Sequence, residues 1–188
     1  MLHSTSIFDQ LLSNAHYSIV MYTKQGEFYE RITFERIYNM IKLHLEVLER
    51  CSKETEDTIT AEDTAFASTP IQYLKENQGE FIYVECAQFN DIRIDAVALE
   101  FDDAFNLYTA LFGLKLQKKH SEAIRAYLKQ NVKSALGSSS AAFSGQEGLW
   151  ELNIAVDCIE GFNEQLSIEE VCELLYQFVA QLIETVGK

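Results

Sequence analysis

The chain has 188 residues, 47% of them apolar, with a formal net charge of −14 from 29 acids against 15 Lys and Arg. That length supports one domain with a real core, and the apolar fraction argues against disorder of the whole. No apolar run approaches the ~20 residues of a membrane span, and the negative field opposes binding to nucleic acid or to an anionic membrane surface.

The start, MLHSTSIFDQLLSNAH, lacks the charged and continuously apolar pattern of a secretory signal, so export is not expected. Cys51, Cys86, Cys158 and Cys172 lie far apart with no C-x-x-C pair. Buried thiols in a reducing cytoplasm are the expectation, with no metal and no cofactor.

In chain order, Ile7 and Leu11 suggest a short helix over 4–14. YSIVMYT and EFYERIT around Lys24-Gln25-Gly26 suggest a hairpin, the alternative being that 27–33 are the first turns of the next helix. Thr33 as N-cap, with Ile37, Ile41, Leu45 and Leu48 at helical spacing, predicts a helix through about residue 52. Glu46 with Arg50 and Glu49 with Lys53 then form i,i+4 pairs along it. The acidic, hydroxyl-rich stretch 52–69 reads as a long exposed and mobile connection, with a helical turn within it as a further option.

Residues 81–105 hold six carboxylates, Glu85, Asp91, Asp95, Glu100, Asp102 and Asp103, among apolar neighbours. A two-residue turn at Asn90-Asp91 makes two strands in which paired positions sum to 181. Phe81, Tyr83, Glu85, Ala87 and Phe89 then share a face with Ile92, Ile94, Ala96, Ala98 and Glu100. Ile82, Val84, Cys86 and Gln88 share the other with Arg93, Asp95, Val97, Leu99 and Phe101. Glu85 and Asp95 diverge, and Glu85 and Glu100 stand roughly 13 Å apart at about 3.3 Å per residue. A glycosidase pair needs ~5 Å or ~6.5–9.5 Å, so these acids read as structural. Arg93 and Asp95 form a local ion pair in this reading, and Tyr83 and Glu85, with small or aromatic neighbours, are the candidate pocket residues.

Asp102 or Asp103 is placed to cap a helix striped by Phe101, Phe105, Tyr108 and Phe112. A second helix runs from Ser121 to Leu136, and GSSSAAFSGQEG (137–148) reads as a flexible tether. WELNIAVDC alternates as a half-buried strand. Ser167 and Glu170 form a capping box, with Leu166 and Val171 as a hydrophobic staple, before a helix that runs to Gly187. The class is α+β: a single domain with a mostly antiparallel sheet of about five strands covered by amphipathic helices.

His3, His16, His44 and His120 fit no metal-ligand spacing, and no serine elbow or phosphate loop is present. No catalytic motif is found. Lys115, Lys118, Lys119, Arg125, Lys129 and Lys133 gather six of the fifteen basic residues into one short stretch. At ~100° per residue Lys118, Arg125, Lys129 and Lys133 share a helix face beside Ile124, Leu128 and Val132. They are the candidate binding residues, for an acidic partner or an anionic ligand.

The functional expectation is a non-catalytic cytoplasmic protein-binding module of adaptor, escort chaperone or inhibitor type, with another protein as partner and homodimerisation as a further expectation. Small acidic secretion-type chaperones are similar in general character, with no shared motif. The alternative is an enzyme or small-molecule binder with a pocket between sheet and helices, using Tyr83, Glu85 or His120.

Overall fold

The computed structural model describes residues 42–132 and 139–186, which from Leu43 onward belong to one compact unit. The helix at 4–14, the hairpin around Gly26, the helix start at Thr33, and Lys133 and Leu136 lie outside the described residues.

The unit is α+β, built on one antiparallel sheet of seven strands rather than about five, in the order β2-β1-β3-β4-β5-β7-β6. The strands are β1 (Leu45–Ser52), β2 (Thr58–Ala61), β3 (Glu80–Cys86), β4 (Ala96–Asp102), β5 (Leu107–Leu114), β6 (Ser140–Ser144) and β7 (Leu149–Ala155). Two one-turn helices, α1 (Thr64–Ala67) and α2 (Tyr73–Glu76), connect β2 to β3. The longer helices are α3 (Ser121–Asn131) and α4 (Ile168–Val186).

The β3–β4 register pairs Phe81 with Glu100, Tyr83 with Ala98 and Glu85 with Ala96, each summing to 181 as expected. The connection differs. Ala87–Ile92 form a 3₁₀ helix that closes on Arg93 at φ 60. Phe89, Ile92 and Ile94 are thereby buried in the core, which a two-residue turn would not allow. Arg93 does not pair with Asp95; Lys115 does.

Three expected elements are corrected. Leu45–Ser52 is strand, not helix. Leu45 pairs with Cys86 and Leu48 with Val84, and the register slips between Leu45 and Val47. The extra residue turns both leucines to one face, so a bulge imitates helical i,i+3 spacing. The i,i+4 pairs expected there do not form: Arg50 Nε donates to Glu62 Oε1 at 2.6 Å, and Lys53 lies 3.4 Å from Glu100.

Leu107–Leu114 is likewise strand. Tyr108, Ala110, Phe112 and Leu114 alternate into the core, a period of two that competes with the helical stripe in the same residues. Asp102 accepts from the backbone of Ala104 and Phe105 at 3.0 and 3.1 Å, capping a turn instead of a helix, and Asn106 sits at φ 54.

The supposed tether contains β6, joined to β7 by Gly145–Gly148. Gly148 adopts φ +72 there, and its N–H donates to Ser144 O at 2.9 Å. The stretch 52–69 is largely exposed and holds a helical turn, α1, together with the strand β2, which was not expected.

One face of the sheet carries Ile82, Val84, Val97, Leu99, Ala110 and Ile154, all buried. With the buried residues of α3 and α4 they make the core. Tyr127 of α3 is locked to α4, its hydroxyl donating to Phe178 O at 3.0 Å and its ring 5.2 Å from that of Phe178. Pro70 bridges Ser167, and Ile71 N donates to Leu166 O at 2.8 Å, fixing the chain entry to α4.

The capping box forms as expected. Ser167 N donates to Glu170 Oε2 at 2.7 Å and Glu170 N to Ser167 Oγ at 3.2 Å. Ser167→Ala is expected to cost about 1 kcal/mol, lowering the melting temperature by roughly 2–4 °C in a calorimetric scan.

Candidate functional site

Two surface features carry the residues singled out in the sequence. The first is a groove between α3 and the edge strand β6. Arg125, Leu128, Lys129, Val132, Ser139, Ser140 and Ala141 line it, around a volume of about 480 Å³. Arg125 and Lys129 are exposed on one side of α3 while Ile124, Tyr127 and Leu128 are buried on the other. Neither cation has an ion pair with a described residue.

The floor of this groove is set by β6. It pairs with β7 alone and ends the sheet, so its outer backbone edge is unpaired among the described residues. Ala141 and Phe143 lie on the helix side, opposite Leu152 and Trp150. The ring of Phe143 meets that of Trp150 edge-on at 5.3 Å, and Lys118 Nζ stands 5.8 Å from its centroid. Lys118 belongs to a 3₁₀ turn ahead of α3 rather than to the helix itself. Of the four candidate basic residues, Arg125 and Lys129 share the groove, Lys118 borders β6, and Lys133 lies outside the described residues.

The second feature lies on the sheet face turned away from the helices. A depression of about 500 Å³ is lined by residues of β1, β3, β4 and β5, among them Cys51, Phe81, Tyr83, Ala98 and Leu111. Tyr83 donates to Glu85 Oε1 at 2.6 Å. The Glu85 carboxylate and partial burial, with Glu49 and Asp95 adding to the negative potential, push the Tyr83 hydroxyl up to about 12. Glu85 is thus tied to the depression through Tyr83 without lining it.

The acids do not converge. Glu85 pairs across from Ala96, four residues from Glu100, and Glu100 is held by Lys53. Asp95 is taken by Lys115. Among the described residues no group of three His, Cys, Asp or Glu is placed to hold a metal ion. Cys51, Cys86 and Cys172 are buried, and burial pushes each thiol above its ordinary value, away from the reactive thiolate form. No helix among the described residues is long and apolar enough to cross a membrane.

The Tyr83 shift has a consequence for pH. A hydroxyl raised from 10.0 to about 12 in the fold gives a contribution fully present below pH 10 and lost as pH climbs to 12. Tyr83→Phe removes it, so a pH series of thermal unfolding should show a shallower decline across that window for the variant than for the unsubstituted chain.

The groove was half visible in the sequence. Helical spacing places Arg125 and Lys129 together, whereas the β6 edge beneath them hides in a Gly/Ser-rich run. Comparison of the chain with protein-family models, with curated proteins and with solved structures finds no match to any of them.

Proposed function

We propose that this protein is a non-catalytic protein-binding module whose α3–β6 groove takes an extended acidic segment of another protein as an added strand. One observation carries the reading: two cations without ion-pair partners among the described residues, Arg125 and Lys129, overhang a terminal strand whose outer edge is unpaired there. An added strand gains main-chain hydrogen bonds from β6, and its alternate side chains point to the helix side, where the cations stand. Leu128 and Val132, both buried to 8% exposure, give the groove an apolar back wall.

The chemistry also fits the charge of the whole. In a chain of net charge −14, a local basic groove selects acidic segments by position, since the remaining surface repels them. The test is fluorescence anisotropy of a labelled peptide alternating Glu with Val, titrated with the full chain. Saturable binding that is lost with a Lys/Val peptide of the same length supports the reading. Equal binding of both peptides rejects it.

A further inference from the structure

The central strands β3, β4 and β5 carry apolar side chains on both faces, the outer one also holding Glu85, Glu100 and Thr109. On an antiparallel sheet with one solvated side, the residues alternating with the core should be polar. Here they include Phe81, Tyr83, Ala96, Ala98 and Leu111, and Leu111 is 37% exposed. Phe81, Tyr83, Ala98 and Leu111 floor the depression of about 500 Å³ on that side of the sheet.

We propose that this outer sheet face is a docking surface for a basic amphipathic helix of a partner protein. Charge identifies the occupant. Glu49, Glu56 and Glu100 line the depression and Glu85 stands beside it, while Lys53 is the one cation in the lining. Lys53 is already committed, donating to Phe101 O at 2.6 Å and lying 3.4 Å from Glu100. Glu49 and Glu85 receive hydrogen bonds from neutral hydroxyls, Thr58 Oγ1 at 3.0 Å and Tyr83 at 2.6 Å, which leave their charge in place. The raised Tyr83 hydroxyl reports the same negative potential.

A second copy of this chain seated face to face would bring these carboxylates against each other, so the sign of the rim disfavours it. An extended segment gains little here, because a sheet face offers side chains and no free backbone groups. A helix satisfies its own backbone. Its diameter of about 10–12 Å suits the width of three strands spaced about 4.8 Å apart, with Leu111 packed against its apolar stripe and Lys or Arg reaching the rim on either side. This surface is separate from the α3–β6 groove and opposite to it in charge.

The probe is a labelled Leu/Lys peptide with Leu at i, i+3, i+4 and i+7, titrated with the full chain by anisotropy. Binding should weaken at least tenfold with Leu111→Asp and several-fold with Glu49→Gln plus Glu85→Gln, and stay unchanged in the Arg125→Glu, Lys129→Glu chain. The same peptide with Glu for Lys should not bind the Arg125→Glu, Lys129→Glu chain, in which the basic groove is removed. Circular dichroism checks folding of each variant; should Leu111→Asp unfold, the conservative glutamine variant decides. The proposal is overturned by equal binding of the scrambled peptide, by affinity indifferent to these substitutions, or by light scattering that shows a Leu111-dependent dimer of the chain.

Discussion

Truncation of Trp150 to alanine is expected to remove about 3–5 kcal/mol from the stability of the fold, more than any other substitution proposed for this chain. Trp150 is 2% exposed and lies between Leu114 of β5 and Phe143 of β6 in the sheet register. Its indole Nε1 also donates to Gln117 O at 3.5 Å, at the approach to α3. A cavity there leaves Phe143 without its aromatic neighbour and frees both walls of the groove. A loss of that size is a large part of the roughly 5–15 kcal/mol typical of a domain. Urea denaturation checks it: the midpoint should fall sharply, and acidic-peptide binding should weaken under conditions where the variant remains folded. A midpoint shift worth less than about 1 kcal/mol would mean that Trp150 does not pin β6.

Reversing charge at the groove should have the largest effect on binding. An exposed ion pair contributes about 0.2–1 kcal/mol, and reversal replaces attraction by repulsion. For Arg125→Glu with Lys129→Glu the expected loss is therefore about 1–3 kcal/mol, or roughly 5- to 150-fold in Kd for the Glu/Val peptide. Both residues are exposed, so stability should barely change. The contrast with the unsubstituted chain should shrink in 1 M salt, where the screening length falls to about 3 Å.

What could be read in advance divides along physical lines. The β3–β4 register was legible because Ile82, Val84, Val97 and Leu99 alternate cleanly, and period-two burial fixes pairing even when the turn is misjudged. The capping box was legible because Ser167 and Glu170 satisfy each other locally. In β1, by contrast, a bulge spaced Leu45 and Leu48 like a helix. In β5, long-range pairing with β4 and β7 selected one of two periods that the same residues support. In β6, Ser and Ala give no signal of their own, and its partner β7 supplies the order. At the candidate site the cations on α3 were visible for the local reason and the edge beneath them invisible for the long-range one. The apolar outer face was partly visible, in the small and aromatic neighbours of Tyr83.

The most direct measurement is backbone hydrogen exchange of Ser140–Ser144 with and without the Glu/Val peptide. If β6 accepts an added strand, its outward-facing amides gain hydrogen bonds and exchange should slow there on binding, with no such slowing in the Arg125→Glu, Lys129→Glu chain. Peptide bound at saturation with unchanged exchange across β6 would contradict the account.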